Sequence, residues 1–149
     1  YIIMGDADDS YNFLELSLFI ERLQAGYDMV MGNRFAGGIT KGAMPWLHRY
    51  VGNPFLSSLG RFLFKNNIGD FHCGLRAFTK KCYNIINPQC NGMEFASELV
   101  ALASIHQMRI CEIPVTLYPD GRKRRPHLRS WRDGFRHMVL LYSLYLLRN

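Results

Sequence analysis

Four apolar residues, Tyr1-Ile2-Ile3-Met4, run straight into Gly5-Asp6-Ala7-Asp8-Asp9, and no other feature of the chain restricts its fold so tightly. A short apolar run that ends in glycine and carboxylates reads as a buried strand delivering a functional loop. The next stretch, Phe13 to Leu23, spaces its apolar residues as a helix does, with Ser10 or Asn12 placed to cap it and Gly26 to stop it. Asp28-Met29-Val30-Met31-Gly32 is a second short strand. Strand, helix and strand at this spacing predict an α/β domain whose sheet is built with parallel crossovers.

The remainder extends that pattern. Gly37-Gly38-Ile39-Thr40-Lys41-Gly42 is too rich in glycine for a regular element and is expected to be a mobile loop. Pro45 opens a helical stretch reaching Phe64, with an interruption expected near Gly52-Asn53-Pro54 because proline drives the preceding residue out of the helical region. Leu75–Thr79 and Arg109–Leu117 read as strands, the second with Pro114 near an edge or bulge. Met93–Ile105 reads as an amphipathic helix, and a last helix runs from Ser130 towards Leu147. The abrupt start inside a strand leads us to expect further structure upstream.

Charge is unevenly distributed. Residues 121–149 hold eight of the 18 basic side chains and, in Asp133, one of the 12 acidic ones, giving +7, whereas residues 1–120 sum to −1. A basic terminal module of this kind meets nucleic acid, an anionic membrane or a phosphorylated substrate. A nucleic-acid module would interleave aromatics with its basic residues and need no metal, and the acidic Asp6–Asp9 loop speaks against it. Cys73, Cys82, Cys90 and Cys111 lack zinc-like spacing and are expected as free thiols of a cytoplasmic protein. The apolar part of the last helix is about half of the roughly 20 residues a bilayer crossing requires, which suits docking at an anionic membrane surface. The competing reading is a helix that closes the core.

Three constellations carry chemistry. In an extended segment Asp6 and Asp8 would point the same way, and two adjacent carboxylates repel unless a hard cation such as Mg²⁺ or Mn²⁺ lies between them. Gly32-Asn33-Arg34-Phe35 stands at the second strand end, and Leu47-His48-Arg49-Tyr50 follows the glycine loop. Arginine presents fixed donors that match phosphate oxygens. Asp70-Phe71-His72-Cys73-Gly74-Leu75-Arg76 places an acid and a base beside the sheet, while His48 and His72 are expected to be packed or hydrogen-bonding groups.

These segments, taken in order with Gly42-Ala43-Met44-Pro45-Trp46-Leu47-His48-Arg49, Gly92-Met93-Glu94-Phe95-Ala96-Ser97-Glu98 and Glu112-Ile113-Pro114-Val115, resemble family-2 glycosyltransferases of the dolichol-phosphate mannosyltransferase type. The resemblance implies a GT-A fold, a Rossmann-like mixed sheet flanked by helices. Residues 1–129 would be the carboxyl-terminal part of the catalytic domain and 130–149 a membrane-interfacial helix. It also implies inverting transfer from a nucleotide-sugar donor to a polyprenyl-phosphate acceptor, with a soluble or polysaccharide acceptor as the alternative. By the same resemblance, Asp6 and Asp8 hold the metal and donor diphosphate, and Arg49 the leaving diphosphate. Arg34, Arg76, Arg122 and Arg125 bind the acceptor phosphate, and Asp70, Arg34 and Arg49 serve catalysis. The strands that hold the nucleotide base would lie upstream, so this stretch alone is expected to be inactive.

Overall fold

A computed structural model describes residues 1–121 and 130–148. Four strands, β1 (Ile2–Met4), β2 (Met29–Asn33), β3 (Arg76–Phe78) and β4 (Ile110–Pro114), form one mixed sheet in the order β1-β3-β2-β4. β2 pairs with β4 in parallel, as the crossover argument predicts. β3, however, inserts between β1 and β2 and runs antiparallel to both. Among the described residues β1 is an edge strand, and Ile3 is exposed where a buried strand was expected.

Alternation along β2 builds two cores. Val30 joins Leu75, Ala77, Ile113 and Val115 on the face covered by Phe19 and Leu23 of α1 (Leu16–Gln24). Met29 and Met31 point the other way. They pack with Phe71, Phe78, Cys82 and Ile86 of α4 (Lys80–Ile86), and Leu99 and Val100 of α5 (Phe95–Ile105). Helices thus cover both faces of the central strand, which explains its lack of any polar face.

The helical stretch after Pro45 does not break. His48–Gly52 is a turn of π-helix that leads directly into α3 (Asn53–Phe64), and Asn53 keeps helical angles although Pro54 follows it. The wider turn absorbs the missing proline N–H within the helix. The glycine stretch is likewise tied down. Its first residues close a short helix, α2 (Arg34–Gly37), and Thr40 N–H donates to Leu117 O at 3.0 Å while Ile39 bridges Leu117. Finally, α6 (Ser130–Arg148) buries Leu141 against Leu63, Phe64 and Ala101, closing a third core between α3 and α5.

Candidate active site

Sheet register brings the sequence motifs to one place. Arg76 at the start of β3 stands across from Met4 on one side and Met31 on the other. The loops leaving β1 and β2 and the loop entering β3 therefore emerge at the same end of the sheet. Ligands of open α/β sheets bind at such strand ends.

The acidic loop is a turn rather than an extended segment, with Asp9 in the left-handed region (φ 62°). Asp8 Oδ1 accepts from Ser10 N–H at 3.2 Å and from Ser10 Oγ at 2.5 Å. Asp6 is exposed, and its carboxylate rests on the bare Cα of Gly74: a Cβ there would fall 1.9 Å from Asp6 Oδ2. Only glycine at 74 admits that approach. The entry to the basic loop runs alongside, since Gly121 N–H donates to Asp8 O at 2.8 Å and Tyr118 N–H to Ser10 O at 3.0 Å. Arg122 and Arg125 lie outside the described residues.

Arg34 and Asp70, 36 residues apart, form a buried bidentate pair. Arg34 Nε donates to Asp70 Oδ2 at 2.7 Å, Nη2 to Oδ1 at 2.8 Å, and the Arg34 backbone N–H also to Oδ2 at 3.1 Å. Burial on its own would push the Asp70 carboxyl up and the Arg34 guanidinium down. The hydrogen bonds and opposite charge within the pair reverse both, holding Asp70 below its ordinary range and Arg34 above its own. Asn33 caps α2 through Ala36 N–H at 2.9 Å and so fixes where Arg34 starts. Gly37 lets α2 lie on β4, because a Cβ would meet the Val115 backbone nitrogen at 2.2 Å.

Arg76 is fully buried and donates to Cys73 O through Nε and Nη2, and to Ala96 O through Nη1 at 3.2 Å. It sits behind Asp6, whose charge acts on it. Arg49, on the π turn, donates to Ile39 O at 3.3 Å, and its guanidinium lies 5.3 Å from the Tyr50 ring centroid. His48 comes within the field of Arg34, and burial together with that charge lowers its pKa. The structure thus joins Asp6 to the Gly74–Arg76 segment and Arg34 to Asp70, and it places Arg49 against the glycine loop.

Sequence reasoning passed over several supports. Glu112 Oε1 accepts from both Gly69 N–H and Asp70 N–H at 2.9 Å, seating the Asp70 loop on β4. The clue was a carboxylate set among apolar residues of a sheet strand. The Tyr11 hydroxyl accepts from Gly74 N–H at 3.1 Å, and burial pushes its pKa up. Ser97 and His137 join His72 in a buried chain.

The profile of Glycosyl transferase family 2 matches residues 1–85. The chain belongs to this family. Among curated relatives, it is 39% identical over 139 residues to the low-salt glycan biosynthesis hexosyltransferase Agl6 of Haloferax volcanii, covering 93% of this chain and 33% of that protein. It is 32% identical over 116 residues to the dolichyl-phosphate hexose transferase of the same organism, covering 76% and 48%. It is 30% identical over 118 residues to the polyprenol monophosphomannose synthase of Mycolicibacterium smegmatis, covering 77% and 44%. The chain therefore spans between a third and a half of these family-2 relatives, and its mixed sheet with helices on both faces is consistent with the GT-A type.

Proposed function

We propose that this chain carries the acceptor-side part of an inverting glycosyltransferase that moves a sugar from a nucleotide-sugar to a polyprenyl phosphate. The observation that carries this reading is the convergence at Arg76 of the Asp6–Asp8 loop, the Arg34–Asp70 pair and the Gly74 loop. The names of the relatives, which include a dolichyl-phosphate hexose transferase and a polyprenol monophosphomannose synthase, support this acceptor class.

Asp6 and Asp8 fit a hard divalent cation by chemistry. They are oxygen donors on a surface turn, and Ser10 orients the Asp8 carboxylate through Oδ1. Among the described residues no cluster of three His, Cys, Asp or Glu could enclose a metal. That set suits Mg²⁺ or Mn²⁺, which bind through one or two carboxylates and complete their shell with water and substrate phosphate. Such an ion supplies Lewis-acid stabilisation of the leaving diphosphate.

The chain's own residues do the rest. A phosphate acceptor is an anion near neutral pH, so its oxygen attacks the anomeric carbon without a protein base. The carbon–oxygen bond to the diphosphate breaks, and the nucleoside diphosphate leaves with the electron pair. What the site must supply is alignment and relief of repulsion between two anions. Asp70 fixes Arg34 through Nε and Nη2, and the acceptor phosphate is assigned to Nη1, which Asp70 does not engage. Arg49, on the π-helical turn, serves the diphosphate. Arg76 places a buried positive charge behind Asp6, and Arg122 and Arg125, outside the described residues, are assigned to the acceptor phosphate by the family resemblance. Asp70 acts here by orientation.

α6 supports membrane association. Trp131, Phe135, Val139, Tyr142 and Leu146 form an exposed apolar stripe at helical spacing on the helix that follows the basic segment in sequence. No helix among the described residues is long and apolar enough to cross a membrane. The metal role is tested by titrating a nucleoside diphosphate into the full-length protein. Binding should require Mg²⁺ or Mn²⁺ and vanish in Asp8→Asn with the thermal transition unchanged. Equal binding in excess chelator refutes it.

A further inference from the structure

A hydrogen-bonded chain inside the protein links the last helix to the Asp70 loop. His137 Nδ1 lies 2.8 Å from Ser97 Oγ, and Ser97 Oγ lies 2.9 Å from His72 Nε2. The two imidazoles meet edge to face with centroids 4.8 Å apart. At the far end, the His72 backbone N–H donates to Asp70 Oδ1 at 3.2 Å, on the same oxygen that receives Arg34 Nη2. Three elements distant in sequence, α6, α5 and the loop before β3, thus share one buried connection.

Proton counting gives the chain a direction. The Ser97 hydroxyl has one proton, and His72 Nδ1 is buried with no hydrogen-bond partner among the described residues. A buried N–H without an acceptor costs more than an unused lone pair, because orphaned N–H groups are the rarer case in folded proteins. The His72 proton therefore belongs on Nε2, where it is donated to Ser97 Oγ. Ser97 then donates to His137 Nδ1, and His137 carries its own proton on Nε2. This order requires His137 Nδ1 to be bare.

The surroundings favour neutral rings. Burial pushes His72 down to about 3; a charge on His137 would act the same way, as do Arg34 and Arg76, and Asp70 opposes. Burial lowers His137 as well, against Glu94 and Asp133 and with Arg136. Glu94 and Arg136 form an ion pair of their own.

We propose that His137 is a positioning residue of the transfer site, acting through Ser97 and His72 to hold Asp70, and with it Arg34, in place. Its proton arrangement stands independently of what the protein catalyses, whereas its kinetic consequence rests on the glycosyl-transfer reading.

Two readouts on the full-length protein separate these. Long-range ¹⁵N–¹H correlation of the imidazoles should show His72 protonated at Nε2 and bare at Nδ1, and His137 likewise bare at Nδ1. Transfer assays should show a roughly tenfold lower kcat in His137→Phe, the worth of about one hydrogen bond, at unchanged donor KM. His137→Asn should restore kcat, since its Oδ1 takes the place of the Nδ1 acceptor, and Ser97→Ala should add no further loss in the Phe background. Should His137→Phe fail to fold, Ser97→Ala alone must show the same loss, as it removes a single oxygen. A His72 proton on Nδ1, a wild-type kcat in His137→Phe or Ser97→Ala, or an Asn variant as impaired as Phe overturns the proposal. An inactive wild type with the expected His72 tautomer refutes the glycosyl-transfer reading and leaves the chain of bonds standing.

Discussion

Asp70→Asn is the sharpest perturbation the structure offers. Asp70 is fully buried and accepts four hydrogen bonds, three from Arg34 and one from His72 N–H. The amide removes the negative charge and turns one acceptor into a donor facing donors, while Arg34 stays buried and charged. Breaking a buried ion pair by removing one member costs about 3–5 kcal/mol, on the order of 10 °C in the melting midpoint of a domain this size. Arg34→Met gives a different signature. Asp70, left alone in the interior, would take up a proton, so its folded pKa rises above the unfolded value and the deficit of this variant grows as pH rises from 4 towards 8, by roughly 1.4 kcal/mol for each unit of that shift. The double variant should recover part of the loss, because no uncompensated charge remains. Urea unfolding at several pH values, followed by circular dichroism, measures all three. Single variants within about 1 kcal/mol of the wild type, or losses that add in the double variant, would refute the buried pair, because contacting residues do not behave independently.

Other outcomes follow from the same geometry. Gly74→Ala should displace the Asp6 carboxylate and abolish metal-dependent nucleotide binding, read by calorimetry; unchanged affinity would contradict the contact between them. His72 and His137 are held below their unfolded pKa, so their contribution is complete above about pH 6.5 and is lost as pH falls towards the folded values. Between pH 6.5 and 5, keeping His72 neutral should cost about 2 kcal/mol of stability, and His72→Gln should flatten that slope in a pH series of melts. Co-sedimentation with anionic vesicles should fall with salt, and also when Arg122, Lys123, Arg124 and Arg125 become Gln, each contributing about 1 kcal/mol near the surface at most. Equal sedimentation with neutral vesicles would remove the electrostatic part of the docking.

Elements defined by local pattern were legible in the sequence, and relations between distant segments were not. The apolar run Met29-Val30-Met31 announces a central strand, and Asn12 caps the turn before α1 through Leu14 N–H as its position suggests. The place of β3 between β1 and β2 depends on a tertiary choice that no local period records. α4 escaped notice because Lys80–Ile86 is short and opens on two lysines, although Thr79 caps it through Cys82 N–H. Arg34 and Asp70 each stood out singly, as a phosphate ligand and an acid. Their pairing was invisible across 36 residues. Arg76 was read as a ligand of the acceptor phosphate, and its burial was not legible, since Nε, Nη1 and Nη2 find the backbone carbonyls of Cys73 and Ala96 inside.

The central claim is sugar transfer to a polyprenyl phosphate, and one assay addresses it directly. The full-length protein is incubated with labelled nucleotide-sugars, a short-chain polyprenyl phosphate and Mg²⁺, and the organic phase is analysed for lipid-linked sugar. The account predicts a sugar joined to the lipid through one phosphate, of inverted anomeric configuration, that disappears in chelator. Label that stays in the aqueous phase with every donor, or reaches only a soluble or polysaccharide acceptor, would contradict it.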